Sequence, residues 1–66
     1  MEEFWLARDR SGDLYMHEKV PLKNELTGEW ILGGQFELLP AHLFSEVQWE
    51  DKGPTKCKIE LTKNEF

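Results

Sequence analysis

The chain has 66 residues, of which 39% are hydrophobic and 12% aromatic, with one cysteine and a formal net charge of −5. That is one domain with a marginal core, a size at which a disulfide, a metal or a partner chain usually supplies the missing stability. The lone Cys57 excludes a disulfide within the chain, the acidic balance speaks against gripping a phosphate backbone, and no apolar run approaches the roughly 20 residues of a membrane span.

In chain order, residues 4–8 (Phe-Trp-Leu-Ala-Arg) read as a strand. Residues 9–13 (Asp-Arg-Ser-Gly-Asp) are turn chemistry, with Gly12 able to take the positive φ of a three-residue hairpin with a bulge. Residues 14–18 return as a strand. With Gly12 as the bulge residue, Asp9 faces Asp13, Ala7 opposes Tyr15, Leu6 opposes Met16 and Trp5 opposes His17. Leu6 and Met16 then share one face, and Trp5, Tyr15 and His17 the other. Large apolar groups on both faces predict that both are covered, the second by the rest of the chain or by another subunit.

Pro21 ends this strand, and residues 22–28 read as a polar connection, a loop or one helical turn. Residues 29–32 and 35–38 flank Gly33-Gly34, which predicts a second hairpin, because both glycines can take positive φ. Pro40 suits the first turn of a helix, so 40–44 is expected as a short helical turn anchored in the core by Leu43 and Phe44. Residues 46–50 alternate, placing Val47 and Trp49 on one face of a strand. A turn at 51–54 leads to a last strand over 55–62, with Cys57, Ile59 and Leu61 inward. Residues 63–66 are expected to fray. The fold class expected is mainly β: a small antiparallel sheet of five or six short strands, curled or packed on itself, in a single domain over 1–66.

Little in this inventory carries chemistry. Asp9, Ser11 and Asp13 are spaced like calcium ligands, but the Gly and Glu that such a loop needs at its sixth and twelfth positions are Leu14 and Val20 here. Cys57, on the apolar side of its strand, reads as a packed thiol rather than a nucleophile. His17, His42 and Cys57 fall in no metal or triad spacing, so neither metal nor other cofactor is expected. Glu50 and Asp51 are adjacent and so point to opposite sides of a strand, unlike the paired carboxyls of a glycosidase. Ser11 and Ser45 lack a nucleophile-elbow context, and Gly33-Gly34 lacks that of a phosphate loop. An enzyme is therefore not expected.

Two surfaces remain as candidates. One is the aromatic face of Trp5, Tyr15 and His17, since Trp and Tyr are enriched at binding hot spots. The other is acidic: Glu25, Glu29, Glu37, Glu46, Glu50 and Asp51 lie in a stretch, 24–51, that holds no Lys or Arg. Residues 1–3 (Met-Glu-Glu) lack the basic start and apolar stretch of a secretory leader, and with one unpaired cysteine the setting expected is the reducing cytoplasm. The function expected is a protein-interaction module, a homodimer on the size argument, that binds neither nucleic acid nor membrane. A self-assembling structural subunit is the alternative, and a small enzyme a distant third.

The strings Phe4-Trp5-Leu6-Ala7-Arg8-Asp9, Gly12-Asp13-Leu14-Tyr15, Lys19-Val20-Pro21 and Leu43-Phe44-Ser45-Glu46-Val47-Gln48-Trp49-Glu50-Asp51 resemble short uncharacterised proteins of gut Bacteroidales genomes and their prophages. The resemblance covers the first twenty residues and 43–54, but not 22–38. Ser45 stands where the pattern has Pro. The resemblance implies a small β-rich, dimeric protein with no assigned activity, and through the mobile-element link an accessory protein that engages the host.

Overall fold

A computed structural model describes residues 2–59. They form six strands: β1 Glu2–Arg8, β2 Leu14–His17, β3 Leu22–Asn24, β4 Glu29–Ile31, β5 Phe36–Leu39 and β6 Thr55–Ile59. A four-stranded antiparallel sheet has the order β5-β2-β1-β6, and β3 and β4 pair by themselves. The protein is mainly β, and no helix occurs among the described residues.

The first hairpin follows its turn residues. The Asp9 N–H donates to the Asp13 carbonyl (2.8 Å), Gly12 sits at φ 101°, and Trp5, Leu6 and Ala7 oppose His17, Met16 and Tyr15. Leu6 and Leu14 therefore share a face and bury almost completely with Val47, while Phe4, Met16, Leu39 and Cys57 pack around them. On the opposite face the β3–β4 hairpin lies over Ala7, and the Trp30 indole N–H donates to the Arg8 carbonyl (2.9 Å). The chain itself thus supplies a cover on each side of the sheet.

Three sequence expectations are corrected. The 22–28 connection holds a strand, because Leu22, Lys23 and Asn24 pair with Ile31, Trp30 and Glu29. Asn24 organises the turn that follows: its side-chain oxygen accepts the Leu26 N–H and its carbonyl accepts the Gly28 N–H. Gly33-Gly34 is consequently not a hairpin turn. A two-residue turn of that kind needs positive φ at both positions, and only Gly34 (φ 72°) has it. Gly33 is glycine because of His17, for a Cβ there would stand 2.7 Å from Nδ1 of that ring. The strand after the glycines, β5, pairs with β2 instead of β4.

The third correction concerns 40–51. Instead of a helical turn and a strand over 46–50, this stretch is a run of single turns, with N–H donations from Leu43 to Pro40, Val47 to Phe44 and Asp51 to Gln48. Leu43 and Phe44 are not core anchors, being 36% and 44% exposed. What holds the segment is Arg8. Its buried guanidinium donates to the carbonyls of Val47 (2.6 Å), Gly12 (2.9 Å), Ala41 (2.9 Å), Leu43 (2.9 Å) and Phe44 (3.2 Å). That is one acceptor for each of the five N–H groups a guanidinium carries. Main-chain groups taken up by a side chain have no need of a strand ladder, and this keeps 41–47 out of the sheet.

Thr55–Ile59 forms the last strand as expected, antiparallel to β1 with Cys57 opposite Phe4. The expected continuation of that strand through 60–62, and the frayed end at 63–66, lie outside the described residues.

Candidate functional site

The β1–β2 register places Trp5, Tyr15 and His17 on one face of the sheet. The pairing of β2 with β5 adds Phe36 opposite His17, a neighbour that the hairpin reading concealed. The Tyr15 and Phe36 rings meet edge to face at 5.6 Å, and His17 lies 6.2 Å from each. Trp5 stands apart from this cluster. It is half-buried beneath the Lys56 ammonium, 5.7 Å from the ring centroid, and Lys56 in turn pairs with Glu3.

The Tyr15–His17–Phe36 cluster forms one wall of a groove of about 320 Å³, and Glu29, Trp30, Ile31, Leu32 and Gly33 form the other. Asp9 closes one end, its carboxylate Oδ1 accepting the Trp30 N–H at 3.1 Å. Burial pushes the Asp9 carboxyl above its ordinary value, against the Trp30 hydrogen bond, and repulsion from Glu29 and Asp13 adds to the rise. The Tyr15 phenol is raised too, by burial first and then by Asp13, Asp9 and Glu29. This end of the groove is therefore a region of negative potential. His17 is only 3% exposed, neither ring nitrogen has a hydrogen-bond partner among the described residues, and burial lowers its affinity for a proton. The imidazole is neutral at neutral pH.

The rim of the groove runs on into exposed apolar side chains. Leu32 is 73% exposed and Phe36 67%, and beyond them on β5 Leu38 is 59% exposed. Leu32 also holds φ at 64°, a left-handed conformation that a branched side chain adopts only when its surroundings impose it. Among the described residues, β5 is an edge strand of the sheet.

The acidic residues divide among separate elements. Glu25 and Glu29 lie on the β3–β4 hairpin, Glu37 on β5, and Glu46, Glu50 and Asp51 on the 40–51 segment. Glu37 opposes Met16, so its side chain is on the face away from Tyr15 and His17. Asp51 accepts the Gln48 N–H at 3.0 Å and thereby closes a turn. Of the six, Glu29 alone reaches the groove.

Ser11 Oγ accepts the Asp13 N–H (3.4 Å) within the turn, and no cluster of His, Cys, Asp and Glu suited to a metal ion occurs among the described residues. Burial, with help from Glu46, raises the Cys57 thiol, which disfavours the reactive thiolate. No helix among the described residues is long and apolar enough to cross a membrane.

The groove depends on residues that sequence reasoning did not select: Asp9, Trp30, Leu32 and Phe36. Phe36 and Leu38, two residues apart on β5, share the face that carries Tyr15 and His17, a placement that follows only from the pairing of β5 with β2. Comparison with protein-family models, curated proteins and solved structures gives no match.

Proposed function

We propose that this chain is a non-catalytic protein-interaction module that binds its partner along β5 and the groove beside it. The observation that carries the reading is the β5 strand, an edge of the sheet among the described residues, bearing Phe36 and Leu38, 67% and 59% exposed, beside Leu32 at 73%. A contiguous apolar rim on a small domain marks a place where another surface sits. The two edges of the sheet differ in this respect. β6 carries Lys56 and Lys58, charges of the kind that discourage a further strand from pairing. β5 carries one charge, Glu37, on its other face. An extended segment can add to such an edge through main-chain hydrogen bonds while its side chains enter neighbouring pockets. The absence of Lys and Arg from 24–51 favours a partner that is basic as well as apolar.

Capture of partners from a lysate of the native host, with wild type and the double variant Phe36→Lys, Leu38→Lys side by side, tests this. Both side chains are largely exposed, so the variant is expected to keep its circular dichroism spectrum, with a cost of about 1 kcal/mol for the lost Tyr15–Phe36 ring contact. The wild type should retain a partner that the variant loses by about tenfold or more, a difference near 1.4 kcal/mol in binding. Equal retention would defeat the proposal. Recovery of the bait alone, in multiples of its own mass, would replace it with a self-assembling structural subunit.

A further inference from the structure

We infer that the groove between β4 and the Tyr15–His17–Phe36 face is a receptor for a guanidinium side chain carried by a basic segment of the partner. The inference rests on the interaction-module reading and gives its pocket a chemistry.

Three observations converge. First, the walls are aromatic: Tyr15, Phe36 and Trp30 all line the groove. A planar cation stacks on such rings, where a fully hydrated point charge is less suited. Second, the charge is of one sign, since Asp9 and Glu29 line the groove and none of its lining residues is Lys or Arg. Asp9 uses Oδ1 for the Trp30 N–H, which leaves Oδ2 for an incoming donor. The cations on either side of Asp9 are occupied elsewhere, Arg8 on five carbonyls and Arg10 donating to the Glu25 carbonyl and lying over Trp49 at 5.1 Å.

Third, His17 lines the groove at 3% exposure with both ring nitrogens unpartnered among the described residues. A neutral imidazole presents one acceptor and one donor nitrogen, and leaving a buried polar group unmet is costly, which marks this wall of the groove as incompletely satisfied by the described residues. The groove thus contains two carboxylates and no cationic side chain to meet them. A guanidinium brings five N–H groups in one plane, enough to meet Asp9 Oδ2 while its face lies along an aromatic wall. A space of about 320 Å³ accommodates one such side chain with its aliphatic stem along Ile31 and Leu32.

The test is an NMR titration of the full chain with N-acetyl-arginine amide. N-acetyl-citrulline amide, close to it in shape but uncharged, and N-acetyl-lysine amide are run in parallel. The arginine compound should give saturable shifts at Tyr15, His17, Trp30 and Gly33, including the His17 ring nitrogens, with a Kd on the order of millimolar as befits one side chain. Citrulline should bind about tenfold more weakly or worse. Glu29→Gln, a change at an exposed position, should weaken the arginine compound several-fold while leaving the fold intact. Equal binding of arginine and citrulline, or no saturable response to either, overturns the inference. Tighter binding of lysine than arginine also overturns it, in favour of a point-charge site. The edge-strand variant keeps the two readings apart: a partner lost on Phe36→Lys, Leu38→Lys while the groove ignores arginine leaves the interaction module standing and removes the guanidinium.

Discussion

Arg8 shows how one side chain can take the place of a disulfide or a metal in a domain this small. Its five donors are matched by five carbonyls, four of them in 41–47, so it ties the end of β1 to a segment more than thirty residues away. The charge is buried, and removing one member of such an arrangement leaves several polar groups unmet. Arg8→Lys keeps the charge but replaces the planar fork with a single nitrogen, which cannot reach five acceptors. We expect it to cost about 3 kcal/mol, a fall in melting temperature of roughly 12–24 °C for a domain of this size. Thermal denaturation followed by circular dichroism measures this, and a loss below about 1 kcal/mol would show that the carbonyls find other donors.

At the scale of elements, glycine separates what the sequence reveals from what it conceals. Around Gly12 local chemistry decides alone. Turn residues, bulge and alternation agree, and the register of β1 on β2 is legible residue by residue. At Gly33-Gly34 the same kind of signal misleads, because Gly33 answers to His17, a residue distant in sequence, and not to a turn. Gly33→Ala would bring a Cβ to 2.7 Å from His17 Nδ1, so it should destabilise by about 1–3 kcal/mol through forced movement of the ring or the backbone. Gly53→Ala is the control, since a Cβ there meets nothing within 4 Å. Urea denaturation of the pair separates the steric effect from the general effect of removing a glycine. The strand expected at 46–50 failed for a related reason. Its alternation put Val47 inward, correctly, but the Val47 carbonyl belongs to Arg8. The groove was hidden by the same error, since Phe36 joins Tyr15 and His17 only when β5 pairs with β2.

For the whole molecule, the placement of charge shapes both surface and stability. Much of the basic inventory is turned inward or onto rings. Arg8 binds carbonyls, Lys23 donates to the Trp49 carbonyl and lies over Trp30 and Trp49, Arg10 lies over Trp49, and Lys56 over Trp5. The net charge of −5 is therefore carried outward by carboxylates, which the composition hinted at without placing. Two buried groups link folding to pH in opposite directions. The His17 pKa is lowered from 6.5 by burial, so its contribution is present above that value and is lost as pH falls through the folded-state pKa. The Asp9 pKa is raised from 3.8, so its contribution is present below that value and is lost as pH rises through the folded-state pKa. Lowering pH from neutrality should therefore first reduce stability through His17, with a slope that cannot exceed about 1.4 kcal/mol per pH unit for one group. Melting temperatures across this range should flatten in His17→Leu; an unchanged slope would assign the effect to another group.

The guanidinium of Arg8 touches only main-chain oxygens in 41–47, and a carbonyl is the same in every residue. The path of that loop is consequently written at position 8 rather than in the loop. Phe44, at φ 51°, restricts its position to residues that tolerate a left-handed backbone, whereas Ala41 and Leu43 can be exchanged without disturbing the hold on the backbone. A lineage under pressure to change its outer surface could rewrite those positions freely while the scaffold stayed fixed, and a library randomised there would explore new surfaces on an unchanged frame.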